Sequence, residues 1–283
     1  LLKSFLDIFP FLMAGTIIAL SWNVVFDSYS FKALAVSSIL SVGDIMHLQM
    51  IGYPCAAVTG VTWYLSAALI AKAIFFPYAK RDTFSVVPFV LIATFIYGWL
   101  FQCRGTLSKP GMWMGFAYVG VLRGIAGIAL GIVCFRIVQF IGHISFNLAG
   151  RLILSFIEFL SYVASFIIMW KGNCKATDFY VVLLLFVSVS ITLSGQSIFS
   201  SINKSYTGFF RSASICVFLS HFFIVVNFEK NFADLHVITR RLLVILQIIV
   251  CSGLNYILAM ALKKYLPKFF FKLIIYGDKI NKN

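Results

Sequence analysis

Apolar residues in this chain come in runs of about twenty, broken by short polar gaps, and none of the runs alternates strictly between apolar and polar positions. At the helical rise, twenty residues cross a hydrocarbon core of ~30 Å. A membrane β-barrel would instead show alternating segments of about 10 residues. The pattern predicts eight transmembrane helices, at 5–26, 61–78, 84–101, 112–138, 152–170, 179–193, 208–228 and 242–262. The stretch 31–60 does not fit this series. It carries Asp44, His47 and Pro54, and reads as a long extramembrane loop with a partly apolar helix. No repeat period and no linker divides the sequence. The expected fold is therefore all-α, one polytopic transmembrane helical bundle over residues 1–283.

Composition narrows the class further. Of 283 residues, 61% are hydrophobic and only 11% charged. That is under half the charged share of an ordinary soluble domain, too little to cover a soluble protein of this size. Soluble globular, disordered, coiled-coil and collagen-like chains are excluded. The 23 Lys and Arg against 9 Asp and Glu give a net charge of +14. These cations are scattered between apolar runs rather than gathered on one face, so nucleic acid is not an expected partner and membrane lipid is. With eight spans, one side of the membrane holds thirteen cations: Lys3, Lys80, Arg81, Arg136, Arg151, Lys204, Arg211 and six in the C-terminal tail from Lys263 on. The other side holds eight, among them Arg104, Lys109 and Lys175. Basic loops stay in the cytoplasm, which puts both ends there. The chain starts at Leu1 with no signal-peptide pattern, and the natural protein is expected to begin earlier.

Ionisable residues inside spans are costly unless paired or hydrated, which makes them the informative ones. Arg123 lies about ten residues inside its expected span, beside Gly124, Gly127 and Gly131, which allow close helix packing. Its planar fork can clamp a carboxylate or phosphate, or it can snorkel to an interface. His221 can serve as a base or substrate contact, or bond a neighbouring helix. Lys72 reads as snorkelling toward the cytoplasmic side. Glu158 is open to pairing with Arg123 or with Lys72. Six cysteines include no CxxC and no Cys/His cluster, so no metal site is expected. Cys55, Cys103 and Cys174 fall on the outer side, where two of them can form a disulfide that the sequence does not pair; Cys216 and Cys251 read as packing residues. The tryptophans Trp22, Trp63, Trp99, Trp113 and Trp170 sit near span ends, as an interfacial belt does. Nucleotide loops, zinc-protease helices and nucleophile elbows are absent.

Four segments, in this order along the chain, resemble the membrane acyltransferase-3 family, bacterial enzymes that O-acylate surface glycans. Lys3-Ser-Phe-Leu-Asp-Ile-Phe-Pro-Phe-Leu is similar to the basic start of the family's third helix, with Asp7 where a basic residue is usual. Val61-Thr-Trp-Tyr-Leu-Ser resembles its W-[FY]-L-S segment. Val121-Leu-Arg-Gly-Ile-Ala-Gly resembles its L-R-[AG] segment, and Phe209 to Phe222, with Leu219-Ser-His221, its C-terminal histidine segment. The resemblance implies an integral O-acyltransferase of the bacterial inner membrane. It would move an acyl group, acetyl being the expected one, from cytoplasmic acyl-CoA as donor substrate to a sugar hydroxyl of a polysaccharide or lipopolysaccharide acceptor, with no bound cofactor. It implies a basic inner rim, with Lys80, Arg81 and Arg211 as donor-binding residues. It also places the catalytic histidine on a first helix upstream of Leu1, so no catalytic residue is assigned in this chain. The alternatives are a transporter or flippase of lipid-linked glycans, whose internal repeats and broken helices are not seen here, and an inactive, truncated member of the family.

Overall fold

The computed structural model describes residues 2–26, 29–56, 58–79, 85–107, 111–171, 176–201, 207–232 and 234–265. Among them are nine α-helices and no strand. The helices are α1 (Leu2–Phe26), α2 (Phe31–Ile45), α3 (Thr62–Ala79), α4 (Val87–Arg104), α5 (Val119–Gly142), α6 (Leu148–Trp170), α7 (Thr177–Ser194), α8 (Thr207–Asn231) and α9 (Val237–Tyr265). The protein is an all-α polytopic bundle. Seven helices, α1 and α4 to α9, are long and apolar enough to cross a membrane. The eighth expected span, α3, is a helix of 18 residues outside that set, because Trp63, Tyr64, Lys72 and Pro77 dilute its apolar character. Large apolar side chains point outward along the spans, Phe95 (72% exposed), Phe140 (70%) and Leu148 (70%) among them. Surfaces of that kind are stable only against lipid.

The residues group into two compact units: Leu1–Thr62 with Tyr206–Asn283, and Trp63–Ser205. In the first, α1, α8 and α9 pack on one another and α2 leans on α1. Ser30 caps α2 by accepting from the Ala33 amide, which starts a helix inside the stretch expected to hold one. Ala19, Val58, Phe223, Ile224 and Cys251 form the apolar centre of this unit.

In the second unit α4 packs on α5, α5 on α7, and α6 on α7. Two apolar clusters fill it, one around Leu100, Leu122 and Ala126, the other around Phe75, Phe89 and Val133. The α6–α7 contact is different in kind. Ser155, Glu158, Ser161 and Ser165 are buried along one face of α6, and Ser188, Ser190 and Ser194 are buried on α7. Small polar residues let two membrane helices approach closely and share hydrogen bonds.

The expected span 112–138 is corrected at its start. Residues 112–118 form a tight turn, and α5 begins only at Val119. Trp113 and Tyr118 make an antiparallel bridge, and the Val119 amide donates to the Met112 carbonyl at 2.9 Å. Gly115 takes φ +90, a left-handed conformation that side-chain-bearing residues avoid. Phe116 stacks on Trp99 with ring centroids 5.5 Å apart, fastening the turn to α4. Hydropathy alone does not separate this apolar turn from a helix.

Candidate functional site

Because α5 starts late, Arg123 lies one turn from its beginning rather than deep in the span. Its guanidinium carbon sits over the Trp63 ring, 4.8 Å from the centroid. It donates to the Leu107 carbonyl, and Tyr97, Asp178 and Tyr64 make up its electrostatic surroundings. Asp178, in the first turn of α7, accepts from the Thr106 hydroxyl and the Leu107 amide at 3.4 Å each. The carboxylate thus steadies the loop whose carbonyl receives Arg123. Gly124 makes the approach possible. A Cβ built there would lie 2.9 Å from the Ala67 Cβ and 2.9 Å from the Ala67 carbonyl oxygen. The residues Trp63 and Ala67 on α3, one turn apart, therefore meet Arg123 and Gly124 on α5. A guanidinium carries five N–H donors, so the bond to Leu107 leaves others for an oxyanion or carbonyl.

Glu158 and Lys72, the other intramembrane candidates of this unit, make no contact with Arg123 among the described residues. Glu158 is paired neither with Arg123 nor with Lys72. Its Oε1 accepts from the Thr192 hydroxyl of α7 at 2.6 Å, and its Oε2 has no partner among the described residues. Lys72 is half-buried on α3 and makes no ion pair among the described residues. His221 lies in the first unit. Its Nδ1 is 2.8 Å from the Phe218 carbonyl and 3.2 Å from that of Val217, one turn back on α8. A carbonyl only accepts, so Nδ1 carries a proton.

Of the expected donor-binding residues, Lys80 and Arg81 lie outside the described residues. Arg211 is exposed, with Asp7 at 3.8 Å. Such a solvent-facing pair contributes about 0–1 kcal/mol. Both line a groove of 270 Å³ with Gly208, Ser212, Tyr256 and Lys263, at the meeting of α1, α8 and α9. Cys55 and Cys103 have free thiols, and Cys174 lies outside the described residues. Cys216 and Cys251 are buried packing residues. No group of three or more His, Cys, Asp or Glu side chains gathers among the described residues.

Two further polar clusters are assembled by the fold and were not foreseen as clusters in the sequence. In the connection from α2 to α3, Asp44 (0% exposed) accepts from the Thr62 hydroxyl at 2.9 Å, and Gln49 lies 2.9 Å from the same hydroxyl. The near atom of Gln49 is Oε1, so the single hydrogen of the Thr62 hydroxyl is shared between two acceptors. Beside this pair, burial lowers the pKa of His47. Burial first, then the charge of Asp44, push the Cys55 thiol up to about 11. The second cluster lies between α1, α8 and α9, where Thr16, Ser220, Ser252 and Asn255 are buried and make no hydrogen bond through their side chains among the described residues. Gly15 brings α1 to within 3.1 Å of the Asn255 amide nitrogen, measured from where its Cβ would be. Single Ser, Thr and Asn residues in an apolar run look alike in sequence, whichever way they face.

Compared with known proteins, the chain matches no family model, no curated protein and no solved structure.

Proposed function

We propose that the chain is an integral-membrane O-acyltransferase of the acyltransferase-3 type, moving an acetyl group from cytoplasmic acetyl-CoA to a hydroxyl of a bacterial surface glycan. The observation that carries the reading is the contact between two of the segments that resemble the family. Trp63 of the W-Y-L-S segment lies under Arg123 of the L-R-G segment, and the next turn of each helix packs Ala67 on Gly124. Segments far apart in sequence converge on one cation.

In this reaction the sugar oxygen attacks the thioester carbonyl, the carbon–sulfur bond breaks, and the CoA thiol leaves with the proton lost by the hydroxyl. Negative charge develops on the carbonyl oxygen. A guanidinium held over an aromatic ring at the start of α5, the end that the positive-inside orientation puts outside, suits the hydroxyls and ring face of the acceptor sugar. The Arg211 and Lys263 groove suits the phosphates of the donor. His221 matches the family's C-terminal histidine and takes a contact role. The positive-inside distribution puts Arg211, Lys263 and both chain ends in the cytoplasm, with α3 crossing as the eighth span.

Acetyl-CoA titrated into the purified protein tests the reading. The proposal expects saturable binding, weakened about tenfold or more by Arg211→Glu with Lys263→Glu, because two cations become anions beside phosphates. A protein that binds lipid-linked glycan but no acetyl-CoA at millimolar concentration would instead be a glycan transporter.

A further inference from the structure

The acyl-transfer reading makes no use of Glu158, which is the eleventh residue of the 23-residue helix α6 and so lies near the middle of its span. It is 4% exposed. An ionised carboxylate at that depth is costly unless a cation meets it, and no Lys or Arg pairs with it among the described residues. The Thr192 hydroxyl lies 2.6 Å from Glu158 Oε1, 2.9 Å from the Ser188 carbonyl and 3.0 Å from the Tyr162 hydroxyl, and its single hydrogen serves one acceptor at a time. Oε2 has no partner among the described residues.

This carboxylate lines a cavity of 480 Å³ together with Phe159, Tyr162, Val163, Phe166 and Phe199. The α6 members recur at i, i+1, i+4, i+5 and i+8, one face of a helix. Four of the six lining residues are aromatic, and aromatic faces attract cations. Phe159 and Phe166 are 56% and 59% exposed, so the cavity opens on the lipid-facing surface. A hard metal ion needs six or more oxygen ligands. This site offers one carboxylate and one hydroxyl, that of Tyr162, among aromatic walls. It suits an ammonium whose charge meets one carboxylate and whose carbon substituents lie on the rings. The volume is within the range of small-ligand pockets.

We propose that the α6 face around Glu158 is a binding site for a lipophilic organic ammonium that enters from the bilayer. The carboxylate neutralises the cation, and Phe159, Tyr162, Phe166 and Phe199 surround its alkyl groups. The ammonium comes either from a lipid headgroup or from a free amphiphilic amine, and both present the same chemistry to the site.

The test uses the purified full chain in nanodiscs of phosphatidylglycerol, which has no amine. Dodecyltrimethylammonium is titrated calorimetrically against its uncharged analogue, in which carbon replaces nitrogen. The cation is expected to bind at least tenfold more tightly than the neutral analogue. Glu158→Gln, which keeps shape and the Thr192 bond, should erase that preference. Phe166→Leu should weaken binding about 2- to 30-fold, the fold-change equivalent of about 0.5–2 kcal/mol for a cation over an aromatic ring. Exchanging half of the lipid for phosphatidylethanolamine separates the sources: weakened binding of the probe identifies a headgroup ligand, and unchanged binding a free amine. Equal binding of cation and neutral analogue to the unaltered protein would overturn the proposal even if no variant folds. So would a Glu158→Gln protein that keeps the preference.

Discussion

Replacing Gly124 with alanine should loosen the α3–α5 contact, whereas the same change at Gly131 should not. The two glycines lie on one helix and read alike in sequence. At Gly124 a Cβ would meet the Ala67 Cβ and carbonyl oxygen at 2.9 Å, while ordinary contact begins at 3.4 Å. The Ala67 Cβ and the backbone atoms beside it are all fixed by the helix and cannot rotate away, so α3 and α5 must part by about half an ångström or more. Overpacking of this size costs about 1–3 kcal/mol. At roughly 2–4 °C per kcal/mol for a chain of this size, the melting temperature should fall by several degrees. The same displacement lifts Trp63, one turn from Ala67, away from Arg123. Its 4.8 Å cation–ring distance then moves toward the limit of about 6 Å for that attraction. At Gly131 a Cβ meets nothing within 4 Å. Gly131→Ala should leave the melting temperature unchanged or raise it, since alanine favours helix by about 1 kcal/mol over glycine. Thermal unfolding of the two purified variants in one detergent is the assay. A Gly124→Ala protein as stable as the parent, or a Gly131→Ala protein equally damaged, would refute the packing argument.

Cysteine labelling in intact cells should find Arg81 and Lys264 positions shielded and Lys109 and Lys175 positions reactive from outside; labelling of the Lys264 position from outside reverses the assigned orientation. Maleimide should modify Cys55 slowly at pH 8 and faster as the pH rises toward 11, because its thiol is held protonated by burial and by the charge of Asp44. Asp44→Asn should lower that pKa and speed the reaction at fixed pH, and a rate independent of Asp44 would contradict the assignment. Thr62→Val leaves Asp44 buried without its hydroxyl donor and should cost about 1–3 kcal/mol in stability, read by thermal unfolding, whereas a neutral effect would show that the bond carries no weight.

The spans were legible because a membrane helix announces itself by length and apolarity, and those properties are local. The helix within 31–60 was legible from its partly apolar character, while its Ser30 cap is seen only in the structure. What the sequence did not display depends on partners. Residues 112–118 are as apolar as a helix, and only Gly115 and the Trp99–Phe116 stack make them a turn. Arg123 was visible as an anomaly, but its neighbours on α3, α4 and α7 come from tertiary packing. Glu158 looked like the counter-ion of Arg123 or Lys72, since opposite charges in spans invite pairing, yet its acceptor bond runs to Thr192, an uncharged residue with no distinguishing neighbours in sequence. Asn255 was silent, and Asp44, noticed as a polar residue of 31–60, gave no sign of its burial, for the same reason: burial of one polar side chain follows from which face of its helix meets another.

The acyl-transfer account rests most directly on Arg123. Membranes from cells carrying the complete reading frame, incubated with acetyl-labelled acetyl-CoA, should transfer label to the surface-glycan fraction. Arg123→Lys keeps the charge but loses the planar fork over Trp63. It should insert and accumulate normally while losing transfer by about 10²-fold or more, the scale of misplacing a substrate by about an ångström. No label above membranes lacking the protein, or full transfer by Arg123→Lys, would contradict the account.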